Sequence, residues 1–406
     1  MATGITRPKQ SLLASVCATA VATIYAIQPV LETAGAELGL PAESLGLLVA
    51  AGQIGYFAGL ILLVPLGDLM NRRGLISGLL ALTAVGAAIT AAAPNGVVAM
   101  VGLAVAGVFA VVVQVSVAYA AAVSAPGERG RVIGAVTSGV VVGILGVRVV
   151  AGVLGDTLGW RVVFVLLAGL CAALAVVTRA GLRPDTRTPG ARYTQILRSM
   201  GRLVVTDRLF LSRGLITFFL FASFGTLWSG LALPLGAEPW SLGTTEVGLF
   251  GVAGLAGALG AGRAGRWADA GRAQAISGWS LLVLAGSWLL IARMEPTLVP
   301  LVIGIVVLDF AVQAVHVANQ HLLTTAHPER TGSVIGAYMT FYSAGSALGA
   351  VTTAWAYTSW GWGAACTLGA CYALCGFAVW GLAQLRIAAM TPPEAVRVQQ
   401  DPCPQV

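Results

Sequence analysis

Apolar runs of about twenty residues, each long enough to cross ~30 Å of hydrocarbon as a helix, recur twelve times along the chain. Their cores lie near residues 11–30, 45–66, 75–93, 97–120, 132–154 and 162–182. After a polar interval they resume at 215–235, 247–265, 273–291, 298–322, 334–357 and 362–385. Short breaks carry turn formers, among them Pro94-Asn95, Gly159, Pro239 and Pro296, which end helices or set the turn geometry. This alternation predicts an all-α membrane protein of twelve transmembrane helices in two six-helix bundles. The bundles fall at residues 1–182 and 214–390, with a cytoplasmic linker at 183–213 and a cytoplasmic tail at 391–406. Arg7 and Lys9 precede the first run as they would in a secretory signal, but no A-x-A site closes it, so it reads as a retained helix.

Within the linker, residues 192–208 are basic, with Ile196, Leu197, Met200, Leu203 and Val204 interspersed. That spacing predicts a short amphipathic helix resting on lipid headgroups, with a regulatory docking site as the alternative.

Composition sharpens the membrane reading. Only 10% of the 406 residues are charged and 57% are hydrophobic, whereas soluble domains carry roughly 25% charged residues. A net charge of +7 would suit nucleic-acid binding, but the placement of the charges excludes it. All but three of the 23 basic residues fall in alternate polar segments on one side of the predicted topology; Arg161 and Arg293 lie opposite and Arg148 falls inside a span. The acids Glu32, Glu37, Glu43, Asp156, Glu238, Glu246 and Glu295 all fall on the Arg161 side. The positive-inside rule then puts both termini in the cytoplasm. The arginine-rich composition points to a bacterial protein of the inner membrane. Cys17, Cys171, Cys366, Cys371 and Cys375 sit in apolar runs and no CxxC pair occurs, so they read as small packing residues. No cofactor and no metal site is expected.

The second bundle repeats the first. Val132-Ile133-Gly134-Ala135 returns as Val334-Ile335-Gly336-Ala337, Gly159-Trp160 as Gly361-Trp362, Glu128-Arg129 as Glu329-Arg330, and Asp68 as Asp269, each some 201 or 202 residues later. Duplicated six-helix units keep one orientation and place a binding site between them, near the midplane.

Three ionisable groups lie at membrane depth, Arg148, Asp309 and His316. Such placement is costly and points to function. Asp309, Gln313, His316 and Gln320 fall on one face of the tenth span, with Asn319 beside them. A buried carboxylate whose cationic neighbour comes and goes is sufficient for proton coupling, and Asp309 is the candidate, with Arg148 and His316 as modulators. The alternative is a permanent structural Asp309–Arg148 pair; counted from the ends of the apolar runs, their depths differ by roughly 9 Å. His316 equally suits substrate hydrogen bonding, proton relay or polar packing. Gly139/Gly143 and Gly345/Gly349 let helices approach closely, and Trp160, Trp240, Trp360 and Trp362 sit where membrane-edge anchors belong.

The loop Val64-Pro65-Leu66-Gly67-Asp68-Leu69-Met70-Asn71-Arg72-Arg73 resembles the G-x-x-x-D-R-x-G-R-R motif of the major facilitator superfamily, keeping the aspartate and both terminal arginines. A second copy survives from Gly265 through Asp269 and Gly271 to Arg272. Gly139-x-x-x-Gly143 resembles the fifth-helix motif of the drug:proton antiporter branch, although Ile144 replaces its proline and Arg148 its closing glycine. The resemblance implies alternating access between two bundles, with Asp68, Arg72 and Arg73 latching one side and Asp269 and Arg272 as a weaker twin. It also implies a cavity lined by the first, fourth, seventh and tenth helices. Tyr25, Gln28, Gln114, Tyr119, Trp228, Ser229, Gln313, Asn319 and Gln320 are the candidate lining residues. The function implied is proton-coupled efflux of drug-like or small metabolite compounds by a monomer, whose partners are that substrate, protons and the lipid bilayer. Uptake or facilitated passage of a nutrient is the first alternative and a transporter-like membrane sensor the second. An enzyme has no support, since no nucleophile motif occurs and His316, His321 and His327 form no ligand set with carboxylates; no Walker loop provides for ATP.

Overall fold

Proline placement explains the first irregularity of the fold. In the computed structural model, which describes residues 6–124, 128–184, 193–260, 271–327 and 331–390, helix α1 (Arg7–Tyr25) stops four residues before Pro29. A proline ring clashes with the carbonyl four positions back, which here belongs to Tyr25. The corresponding helix of the second bundle, α8 (Arg208–Gly230), stops four residues before Pro234 for the same reason. Short helices, Leu31–Glu37 and Ala232–Gly236, continue after each break.

The other long helices are α2 (Leu45–Leu62), α3 (Arg72–Ala91), α4 (Gly96–Val123, bent near Ala110), α5 (Arg129–Leu158), α6 (Trp160–Gly181), α7 (Tyr193–Thr206), α9 (Thr244–Gly260), α10 (Ala273–Ile291), α11 (Val299–Ala326), α12 (Thr331–Trp360) and α13 (Trp362–Met390). Every described element is helical. Among the described residues, ten helices are long and apolar enough to cross a membrane; α1 and the 17-residue α9 complete the two bundles. The more polar α1 is almost entirely buried from Val16 onward, with Thr19 and Thr23 turned inward, so that half needs little lipid-compatible surface. On α6, by contrast, Val176 is 70% exposed and Leu166 and Val177 also face outward, as a lipid-facing stripe requires.

Caps mark the boundaries. Asn71, Asn95 and Asp207 accept hydrogen bonds from the first turns of α3, α4 and α8, satisfying backbone donors that each helix start leaves open. Gly159 and Gly361 separate α5 from α6 and α12 from α13 with φ of 87° and 80°, a backbone geometry that side chains resist. The duplication also extends to packing. Gly143 of α5 lies against Ala18 of α1, and its counterpart Gly345 of α12 lies against Phe218 of α8.

Two helix pairs join the bundles. α2 and α12 run antiparallel in contact, from Gly46 beside Ala350, through Gln53, whose carbonyl accepts from the Ser343 hydroxyl, to Val64 beside Gly336. α5 and α9 meet from Leu145 and Gly254 outward to Asp156 and Thr244. The second pair closes the end of the molecule remote from α7. Its outermost contact is a cap across the bundles: the Asp156 carboxylate accepts from Thr244 N (3.1 Å), Thr245 N (2.7 Å) and the Thr244 hydroxyl. A carboxylate at a helix N-terminus is favoured by the helix dipole. Removing such a cap costs about 1 kcal/mol, so Asp156→Ala is expected to speed alkylation of a cysteine introduced at the buried Ser229 position by roughly fivefold. An unchanged rate would show that the cap does not hold this end shut.

Candidate functional site

The proline breaks carry the first site residues. Tyr25 is the last residue of α1, Gln28 lies in the turn beyond it, and Trp228 and Ser229 end α8. All four are buried, and Gln28 Nε2 donates to Ser229 Oγ at 3.3 Å across the bundles. Tyr25 also crosses over, its hydroxyl hydrogen-bonded to that of Tyr342 on α12.

Arg148 enters this group from α5. Its side chain is 2% exposed and donates through Nη2 to Gln28 Oε1 (2.7 Å) and through Nη1 to the Ile144 carbonyl (2.6 Å). The guanidinium lies 4.0 Å from the Trp228 ring centroid and 5.5 Å from that of Tyr25, distances at which aromatic faces stabilise a cation. Asp309 approaches from α11. A methyl group built on Gly254 of α9 would lie 3.0 Å from Asp309 Oδ2 and 2.7 Å from Trp228 Cζ2. On Gly251, one turn away, it would lie 3.0 Å from Arg148 Cβ. The bare face of α9 therefore lets both charged helices close in, near enough for the two charges to interact. Asp309 is 1% exposed, and the one polar group beside its carboxylate is the Trp228 indole N–H, in a geometry short of a well-formed hydrogen bond. An unsatisfied buried carboxylate is costly.

The depth mismatch expected between these two residues is corrected. α5 continues to Leu158, beyond the end of its apolar run, and α11 starts at Val299. Each residue then sits ten positions, about 15 Å, from its helix end at the same face. Asp156 extends α5 because its charge is held by the start of α9.

Further along α11 lies a second polar group. His316 Nδ1 and Tyr338 Oη are 3.0 Å apart, Gln320 Nε2 lies 2.8 Å from His316 Nε2, and Asn319 Nδ2 donates to Thr217 Oγ1 at 3.3 Å. Gln313, between the two groups, is half-buried. Phe221 packs against both His316 and Tyr342. Gln114 of α4 donates to the Tyr56 hydroxyl at 3.2 Å, while Tyr119 reaches the Arg183 carbonyl at the α7 end of the molecule, apart from these groups.

In the loop motif, Arg72 folds back on its own loop, with Nε on the Gly67 carbonyl (3.0 Å) and Nη2 on Asp68 Oδ1 (3.3 Å). Arg73 is half-buried beside it. Arg272 is exposed just before α10, and Asp269 lies outside the described residues.

Residues the sequence reading left out complete the site. Arg213, assigned there to the linker, belongs to α8 and is fully buried; Asp207 starts the helix about two turns before the apolar run. Tyr338 and Tyr342 line α12 four positions apart, a spacing visible in the sequence once that helix is known to face the site. Gln53, wholly buried with its side-chain amide beside the Tyr25 hydroxyl, gave no signal beyond its polarity.

The sequence signature of the Major Facilitator Superfamily matches residues 12–270. The chain is 39% identical over 361 residues to "Uncharacterized transporter YgaY" of Escherichia coli O157:H7, covering 89% of this chain and 92% of that one. It is 32% identical over 368 residues to "Probable transporter SCO4007" of Streptomyces coelicolor, covering 90% and 85%. Among solved structures, a bacterial homologue of the human lysosomal transporter Spinster, inward-facing and occupied, superposes with a TM-score of 0.75 at 16% identity, over 96% of this chain and 100% of that one. The human organic anion transporter MFSD10 follows at 0.69 and 16%, over 92% and 100%. At such identity the likeness is one of fold.

Proposed function

The chain belongs to the Major Facilitator Superfamily, whose multi-pass membrane transporters bind small molecules, and on that ground we propose that it is a proton-coupled exporter of drug-like or small metabolite compounds, of the drug:proton antiporter type. The two bundles rock about the buried centre, and Asp309 loads and releases the coupling proton. It works as a monomer in the bacterial inner membrane with both termini in the cytoplasm, and it is a transporter rather than an enzyme. Asp68, Arg72 and Arg73 latch the end that carries α7, and Asp156 the other.

One observation supports proton coupling above the rest. Asp309 is a fully buried carboxylate beside the Trp228 indole, within the field of Arg148 across two bundles that must move apart. Opening the α5/α9 contact would remove Arg148 from Asp309 and admit water, and both changes alter the affinity of a carboxylate for a proton. Tyr25, Gln28, Trp228 and Ser229 sit where the chain bends between the bundles, so a bound molecule would meet both halves.

Purified protein in vesicles with an imposed pH gradient tests the reading. Pooled compounds should move in a gradient-dependent way with wild type, whereas Asp309→Asn should lose gradient-driven movement and keep exchange. Equal responses of the two proteins to the gradient would reject the coupling.

A further inference from the structure

Arg213 and Arg148 are both buried deep in the bundles, but their electrostatic surroundings differ. Arg148 has Asp309, Gln28, a backbone carbonyl and an indole face around it. Arg213, wholly buried on α8, makes one long contact, from Nη1 to Asn319 Oδ1 at 3.4 Å, and its Nε and Nη2 have no partner. A guanidinium stays charged in proteins, and a buried charge without a counter-charge is strongly unfavourable. The nearest acid in sequence, Asp207, is committed elsewhere: its carboxylate caps α8 through Phe210 N and lies 2.8 Å from His327 Nε2. The neighbours of Arg213 are neutral hydrogen-bonding groups, Asn319, Thr217 and Tyr338.

From this point α8 presents Arg213, Thr217, Phe221, Phe224 and Trp228 at steps of three or four residues, which is one helix face. A cationic end therefore grades into an aromatic one, with Phe221 seated between His316 and Tyr342. We propose that the substrate is an amphiphilic organic anion, its carboxylate-like head received by the free N–H groups of Arg213 and its apolar body laid along Phe221 toward Trp228. The inference rests on the transporter reading and names the substrate class for the same site.

Thermal unfolding of the purified full-length protein, followed by tryptophan fluorescence, tests it with 2-naphthoate against neutral 2-naphthamide, cationic 2-naphthylmethylamine and chloride. Naphthoate alone should raise the midpoint, and do so saturably. Arg213→Met should raise its half-saturating concentration about thirtyfold or more, the effect of truncating one partner of a buried charge pair, while the ligand-free midpoint stays at or above that of wild type. Arg213→Lys, which keeps charge but loses the planar fork, should fall between the two. A shift of equal size from the amide, the amine or chloride would overturn the assignment. So would no naphthoate shift at all, or an undiminished one in Arg213→Lys or Arg213→Met. Vesicle transport is read separately: naphthoate that binds through Arg213 but never crosses would count against transport, and cation export without anion binding would count against the substrate class alone.

Discussion

Arg148→Met is expected to lower the stability of the protein by about 1–3 kcal/mol, because it withdraws the cation whose field reaches the buried Asp309 carboxylate and leaves Gln28 unpaired. Arg148→Met combined with Asp309→Asn should recover most of that loss. The single variant leaves the Asp309 carboxylate in a dry interior with the Trp228 indole beside it and no cation. It also frees Gln28 Oε1 and empties the face of Trp228. The double variant removes the charge that made the first change costly, and methionine fills much of the vacated volume. A double-mutant cycle on unfolding midpoints, with folded protein confirmed by size-exclusion profile, gives the coupling directly. Strictly additive losses would mean that the two charges do not sense each other, and the proposed coupling site would lose its physical basis. Gradient-driven transport should be lost in both variants, because the two charges are proposed to approach and part during the cycle rather than to serve stability alone.

Gly248→Leu should hold the molecule open at the end remote from α7. A first side-chain carbon at Gly248 would lie 2.5 Å from the Arg148 carbonyl and 3.1 Å from Gly152 Cα. Both neighbours are backbone, so neither can swing aside, and overpacking of this kind costs roughly 1–3 kcal/mol. The fold can escape that strain by parting α5 from α9, an option open only to a state in which the two bundles have separated there. A penalty near the top of the range shifts the ratio of closed to open molecules by about two orders of magnitude. Spin labels at Leu158 and Leu249, both exposed, should report a longer distance, and gradient-driven movement should fall to background. An unchanged distance distribution in a folded variant would show that the α5/α9 seam does not govern this opening.

The elements were readable from sequence where one residue decides a boundary. Gly159 and Gly361 punctuate the long helix pairs, and the duplication and the twelve apolar segments are plain in the chain itself, whereas Pro29 and Pro234, which end α1 and α8 by a local clash, lie unread inside the apolar runs 11–30 and 215–235. Asp309 and Arg148 stood out because charge inside an apolar run is rare. Their equal depth did not, since Gly155-Asp156 looks like the start of a loop until α9 is there to receive the carboxylate. Arg213 escaped for a related reason. At the border of a basic segment an arginine looks like a topology anchor, and only the cap made by Asp207 shows that the helix has already begun. The pairing of Tyr25 with Tyr342, and the bare face of α9 against Trp228, depend on which helices meet, and that information is spread across segments hundreds of residues apart.

A single residue, Asp207, separates α7 from α8. α7 turns Leu203 inward and Arg198 and Arg202 outward, and its Tyr193 hydroxyl donates to the Leu62 carbonyl at the end of α2. With so short a joint, any tilt of the second bundle must swing α7 like a lever across the foot of the first. On the proposed rocking mechanism, with α7 on the headgroups as its sequence suggests, Arg198 and Arg202 would resist that swing by about 1 kcal/mol for each charge near the surface. The lipid composition of one leaflet would then act as a counterweight on the bundles, and turnover is expected to vary with the proportion of acidic lipid even when the substrate and the proton gradient are held constant.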